Sequence, residues 1–357
     1  MTDLSHDEEK NSKPRLDKNI ISVSSRSSII SFAPYPLIIL TFLVGIFIGD
    51  SLDLQQSWSA LITGPSQDDS AQVIMWWIRI PQLLTALFAG AVLSISGAAM
   101  QQLLRNDLAD PYLLGIASGG GLGAALALSL GIVDQYGMWV LPTSSFCGAL
   151  LSSLWLEILA WRQSRHYAIS ILRNPLHLVL SGVALNLFLS SLLTLTLALS
   201  DEQLAGVWRW LIGHISVLSW SALVLLIFGS SIGCLLLLSQ ARSLTLLEAG
   251  EEVAWTLGVN VTRTRTITLL AVSLGVGTIV SFCGIIGFVG LLIPHFIRPR
   301  ITGKSHQLFI LALLYGAWVL LVCHLLTLLI TPSVPIGVLT GVLGGFIFLL
   351  TLNSPKT

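Results

Sequence analysis

Ten stretches of this 357-residue chain are apolar over helix-spanning lengths: 36–50, 79–104, 113–132, 138–161, 174–199, 220–239, 266–284, 287–299, 307–330 and 335–352. The first is short and the eighth short and irregular, so the pattern fits nine or ten crossings. A helix needs roughly 20 predominantly apolar residues to cross a bilayer. Only 10% of residues are charged, against about 25% in soluble domains, and mean hydropathy is +0.84. The expected fold class is an all-α polytopic membrane protein.

One stretch departs from a plain lipid-facing helix. Residues 284–298 carry Gly284, Gly287 and Gly290 at spacing three, then Pro294. Gly costs about 1 kcal/mol and Pro about 3 kcal/mol inside a helix. Backbone freed by such breaks is tolerated at membrane depth where it packs against protein or lines a cavity. The stretch therefore marks a transport pathway or, more simply, a tight turn between two membrane helices.

Charge gives the orientation. With the N-terminus in the cytoplasm and ten crossings, sixteen of the eighteen Lys and Arg residues fall on the cytoplasmic side, leaving only Arg79 and Arg209 outside. This bias is what the positive-inside rule expects, and it puts both termini in the cytoplasm. The outer face is acidic (Asp50, Asp53, Asp68, Asp69, Asp134, Asp201, Glu202) and bears Trp76, Trp77, Trp139, Trp208, Trp210 and Trp220 as an aromatic belt. Residues 1–34 are polar and Ser-rich without a secretory apolar core, and are expected to form a disordered cytoplasmic tail. The membrane domain is expected to run over 35–352, with 353–357 as a second cytoplasmic tail. Gly337, Gly341 and Gly345 at spacing four, and Gly119 with Gly123, are expected to admit close helix neighbours.

Several function classes drop out. A net charge of zero recommends no nucleic acid. Cys147, Cys234, Cys283 and Cys323 lack metal-type spacing and read as buried apolar residues. No metalloprotease helix or nucleophile elbow occurs. Gly303-Lys304-Ser305 ends like a phosphate-binding loop, but Arg298 stands at the first-glycine position and no strand precedes it. The glycines at 119–121 and 123 open a membrane helix rather than a dinucleotide fold. His177, His295 and His324 lie on separate segments without ligand spacing; His295 reads as a packing residue and His324 as an outer pathway residue. Glu157, near a helix end, is expected to snorkel. No catalytic, cofactor or metal residue is assigned.

The densest signals run from Arg79-Ile-Pro81-Gln82 through Gly90, Gly97, Gln101, Arg105-Asn106-Asp107-Leu108-Ala109-Asp110-Pro111 and Leu114-Gly115. They continue with Gly182-Val-Ala-Leu185, Trp210, Gly213 and Trp220, Gly250-Glu251, Ala254, Leu257-Gly258, Gly287-Phe-Val-Gly290-Leu291 with Pro294-His295 and Arg298, then Pro335-Ile-Gly337 with Gly344. In this order, over about residues 75–352, the chain resembles the FecCD-type permeases of ABC importers for iron-siderophores, haem and vitamin B12.

The resemblance implies a vitamin B12-importer-permease-like fold of about ten helices in the inner (plasma) membrane, moving an iron chelate or cobalamin by alternating access. It implies pairing with a second permease copy, usually identical, with the pathway between the two. Two separate ATPase subunits would hold ATP and Mg, so this chain is no enzyme and needs no cofactor of its own. A periplasmic or lipid-anchored binding protein would deliver substrate. The segment 244–260 would couple to the ATPase through Leu247, Glu248, Gly250, Glu251, Ala254, Leu257 and Gly258. Arg79 would dock the binding protein. Gln101, Asn106, Pro111, Gly115, Gly287, Gly290, Pro294, His295, Pro335 and Gly337 would shape the pathway and its supports. The chain departs from the family pattern at Gln82, Val322, Leu326 and Ser333, which are usually charged, and at Asp107, usually Pro. Three other readings stay open: a secondary carrier, which would need intramembrane acids for ion coupling, a membrane-embedded enzyme, and a degenerate permease acting as scaffold or sensor.

Overall fold

The computed structural model describes residues 32–48, 53–66, 69–166, 175–199, 204–301, 305–330 and 334–352. Of the expected tail 1–34, residues 1–31 lie outside the described residues, as do 353–357, Ser333 and the side chain of His177. Every regular element among the described residues is helical. α1 (Pro34–Phe47) and α2 (Leu54–Thr63) precede α3, a continuous helix of 35 residues over Ser70–Leu104. A 3-10 turn at Pro111–Leu114 leads into α4 (Ile116–Ser129), α5 (Ile132–Tyr136), α6 (Val140–His166), α7 (Pro175–Ala198), α8 (Leu204–Leu211) and α9 (Trp220–Glu248). Then follow α10 (Glu251–Thr256), α11 (Val261–Cys283), α12 (Val289–Ile297), α13 (Ser305–Ile330) and α14 (Ile336–Leu352).

A helix occupies each of the ten apolar segments, with shifted ends, and α2, α5, α8 and α10 are additional. Among the described residues five helices are long and apolar enough to cross a membrane: Ser70–Leu104, Leu178–Ala198, Trp220–Glu248, Val261–Cys283 and His306–Ile330. The shifted ends have local causes. α11 starts at Val261 because the Asn260 side chain caps it, accepting the Arg263 N–H at 3.0 Å. α3 starts well before Arg79 because it absorbs Pro81 by widening. Proline lacks an N–H and crowds the preceding turn. Residues Ile74–Arg79 form a π-helical turn, and the Ile80 N–H reaches back to the Met75 carbonyl.

α3 is the axis of the fold. Every residue from Ala89 to Leu104 is buried, against α9, α11, α12 and α13. Small residues make that possible, since in lipid helices associate mainly by close packing. A Cβ placed on Gly97 would lie 1.7 Å from the Gly290 carbonyl oxygen, and one on Gly90 would lie 2.2 Å from that of Gly316. Gly119 and Gly123 likewise meet Gly148 and Ser144 of α6. The glycine repeat of α14 behaves differently from expectation. Gly337 is tightly packed, but Gly341 has no atom within 4 Å of an added Cβ, and the second close contact falls on Gly344, against Phe288. The open space is local to Gly341, since Thr340 beside it is buried and Leu339 packs against the core.

Gly97→Ala should therefore cost about 1–3 kcal/mol by overpacking, read as a lower melting temperature of the detergent-purified chain. Gly341→Ala should leave it unchanged.

Candidate functional site

Between α11 and α12 the helix stops for five residues. Gly284 (φ 70°) ends α11, and Phe288 (φ 67°) turns the chain into α12. Left-handed geometry is free for glycine and strained for phenylalanine. The Phe288 ring is braced against Gly344, where a Cβ would come within 2.4 Å of the Phe288 Cβ.

The freed backbone is paired from outside the segment. The Tyr112 hydroxyl donates to the Ile286 carbonyl at 3.1 Å and accepts the Ile286 N–H at 3.2 Å. The His214 N–H donates to the Cys283 carbonyl at 2.8 Å, and the Gly337 N–H to the Gly213 carbonyl at 3.2 Å. Three irregular stretches thus meet: 212–214, 284–288 and the entry to α14 after Pro335. Their approach needs missing side chains, since a Cβ on Gly213 would sit 2.1 Å, and one on Gly337 2.6 Å, from the Ile285 carbonyl oxygen.

Tyr112 is itself positioned by the connection after α3. The Asp110 carboxylate accepts the Tyr112 N–H at 2.8 Å, Pro111 opens the 3-10 turn, and Gly115 closes it with φ 73°. The Asn106 side chain accepts the Leu108 N–H at 2.9 Å and shapes the bend. Gln101 donates to the Leu291 carbonyl at 3.0 Å. Of the expected pathway residues, Gln101, Pro111, Gly287, Gly290, Pro294 and Gly337 gather at or around the break. Asn106 stays at the end of α3, and Gly115 packs towards Leu185 of α7. His295 lies in α12 edge-on to Phe296, with ring centroids 5.9 Å apart. Beside the break, Phe288, Leu292, Phe296, Val322, Leu326 and Leu343 line an apolar groove of about 330 Å³. Val322 and Leu326, neutral where the family pattern is usually charged, are part of its wall.

A second centre lies where α9 turns into α10. Gly250 (φ 138°) makes the turn. Leu244, Leu247 and Ala254 are fully buried, so these apolar positions pack inward. Arg298, just past α12, reaches Glu248 at 2.9 Å and Asp107 at 2.5 Å through one nitrogen. Arg265 pairs with Glu251 at 3.1 Å, and Arg105 donates to the Leu247 carbonyl at 3.0 Å. Glu248 and Glu251 are thus held by this chain's own arginines. What α10 and its exit present outward is Glu252, Val253, Trp255, Leu257 and Gly258, with Trp255 74% exposed. Trp255 was missed by sequence reasoning; its signal was an aromatic residue in a short polar segment beside glutamates.

Arg79, expected on a docking surface, is instead 6% exposed and donates to the Ile46 carbonyl at 2.9 Å. The π turn places it inside α3, where it ties α3 to α1. Glu157, expected to snorkel, is half-buried in α6, and its Oε1 is shielded without a protein partner. His324 is buried in α13. Among the described residues no cluster of three or more His, Cys, Asp or Glu occurs.

Tyr112→Phe keeps the ring and strands both polar groups of Ile286. The expected cost is about 1–3 kcal/mol, measured as reduced thermal stability in detergent.

A model of the FecCD transport family matches residues 37–354. The hemin transport system permease protein HmuU of Yersinia pestis is 38% identical over 306 residues, covering 84% of this chain and 87% of that protein. The vitamin B12 import system permease protein BtuC of Yersinia enterocolitica is 33% identical over 328 residues, covering 90% and 91%. A solved ABC transporter assigned to the metal-chelate type, in an inward-facing conformation, superposes with a TM-score of 0.76 at 28% identity, over 89% of this chain and 97% of that one. With its broken α11–α12 segment and the α9–α10 turn inside the matched span, this chain belongs to the FecCD transport family.

Proposed function

We propose that the chain is the permease subunit of an ATP-binding-cassette importer that carries an iron chelate, haem or cobalamin across the inner membrane. It crosses ten times with both termini in the cytoplasm, as the positive-inside bias favours. It works as a pair of permeases with two separate ATPase subunits, which hold ATP and Mg, and a soluble or lipid-anchored binding protein. Support for pairing comes from α7: of the five long apolar helices it is the least buried, at 6% of its apolar window. Its exposed surface mixes Leu187 and Phe188 with Ser190, Ser191 and Thr194, a surface suited to a wall that holds a large ligand loosely.

The observation that carries the reading is α10. A six-residue helix exposes Val253 and Trp255 on a base fixed by the Arg265–Glu251 and Arg298–Glu248 pairs. Exposed aromatic and aliphatic anchors on a rigid support are what a partner groove takes up. In this reading the ATPase subunits close on ATP and move α10. Arg298 passes the displacement to α12, because it links the end of α9, the bend after α3 and the end of α12. The upper end of α12 is the break at 284–288, so movement reaches the pathway wall directly. The apolar walls fit a chelate moved whole.

The test is ATP-driven uptake of radiolabelled ferric siderophore, haem and cobalamin in proteoliposomes containing permease, ATPase and binding protein. Trp255→Glu should abolish ATP-dependent uptake while the permease alone melts as the wild type does. Glu251→Arg should lower uptake, and Glu251→Arg with Arg265→Glu should restore most of it, because the internal pair is rebuilt with reversed sign. Uptake indifferent to ATP would overturn the importer reading in favour of a gradient-driven carrier.

A further inference from the structure

The pair of arginines left over by the clasp points to another ligand. A cavity of about 500 Å³ opens between the end of α9 and the start of α11. Gln240, Arg242 and Ser243 contribute from α9, Asn260, Arg263 and Thr264 from the start of α11, and no lining residue carries a carboxylate. The ion pairs formed nearby use Arg265 and Arg298; among the described residues Arg242 and Arg263 enter none. The first turn of the 23-residue α11 adds N–H groups and the positive end of a helix dipole at the same mouth. The side chain of Asn260 takes up the N–H of Arg263, while the Val261 and Thr262 N–H groups belong to the unpaired first turn.

The walls are not polar throughout. Leu246, Leu257, Val259 and Ile267 supply an apolar lining. Position along the helices gives the rest. Leu235 lies seven residues before Arg242 and Leu270 seven residues after Arg263, two turns away on the same helix faces; both leucines are exposed, at 66% and 41%. Two turns span about 11 Å. On each helix an exposed leucine therefore lies one headgroup depth from a guanidinium that enters no ion pair among the described residues. A free anion needs only the arginines. An amphiphile uses both the arginines and the leucines.

We propose that this cavity binds the phosphate of an anionic membrane lipid, seated against Leu257 and Gly258 at the exit of the coupling helix. Guanidinium groups grip phosphate oxygens through paired N–H donors, and the acyl chains lie against the exposed Leu235 and Leu270. The lipid then fills the space behind α10 and braces it from the membrane side. This rests on α9 and α11 crossing the membrane, and not on which substrate is carried or which ATPase partner binds.

The experiment is a titration of detergent-purified full-length permease with phosphatidylglycerol, phosphatidylcholine and inorganic phosphate, following thermal stability and counting retained lipids by native mass spectrometry. Phosphatidylglycerol should give a saturable stabilisation that the other two do not. Arg242→Ala with Arg263→Ala should bind it roughly 30-fold more weakly, two cationic contacts being removed, while Arg242→Lys with Arg263→Lys keeps most of the response. If the alanine pair melts low before lipid is added, Arg242→Gln with Arg263→Gln makes the same comparison with the side-chain stems kept. An equal response to phosphatidylcholine, or an alanine pair that titrates like the wild type, overturns the proposal. An equal response to inorganic phosphate overturns the lipid as its source. If the alanine pair keeps the phosphatidylglycerol response but loses its hold on the ATPase subunits, the arginines belong to the protein partner and the proposal falls.

Discussion

An apolar surround tolerates no orphaned peptide group, and the break from Gly284 to Phe288 takes Ile286 out of the helical hydrogen-bond ladder. One phenol answers this: Tyr112 closes both the donor and the acceptor of Ile286. Much of the surrounding architecture serves to hold that hydroxyl in place. The bend after α3, the Asp110 cap and the start at Pro111 bring Tyr112 to the break. Gly213 and Gly337 let two more stretches of bare backbone reach the same point. An unpaired amide costs a large share of a protein's net stability when water is absent, so the break and its partners stand or fall together.

The charged end of the molecule follows a different logic. There the groups are partly wet, and single ion pairs are weak. Arg298 gains weight from position, since one guanidinium joins three chain segments that are 50 and 191 residues away or adjacent to it in sequence. Asp107 is the instructive member. Its carboxylate reaches Arg298. The bend is therefore fastened to α12.

The helices and their order were legible because lipid imposes one rule on every segment. The ends were not, because hydropathy marks where lipid stops and caps mark where helices stop. Asn260 starts α11 five residues before its apolar run, and α9 continues through Gln240 and Arg242 to Glu248. The site was legible in part. Gly290, Pro294 and Pro111 could be named from sequence, but Tyr112 could not, since a tyrosine after Asp-Pro carries no mark of a partner 174 residues away. The burial of Arg79 was hidden for a related reason: a charge at the edge of an apolar run looks external until the π turn before Pro81 carries it inside. Glu248 and Glu251 looked outward because pairing with Arg298 and Arg265 is a tertiary fact.

The touching backbones of Gly97 and Gly290 limit how such a molecule can change shape. Side chains can re-pack by switching rotamers, but two peptide planes at van der Waals contact have nothing left to yield. α12 cannot slide along α3, and the Gly90–Gly316 contact holds α13 to the same axis. The three helices form a single beam. Of the two glycines in the break, Gly287 has open space around its Cα, with no atom within 4 Å of an added Cβ. A structure fastened along its length and loose at one point rearranges by tilting about that point, and the path a cargo sees would open as an angle rather than as a gap.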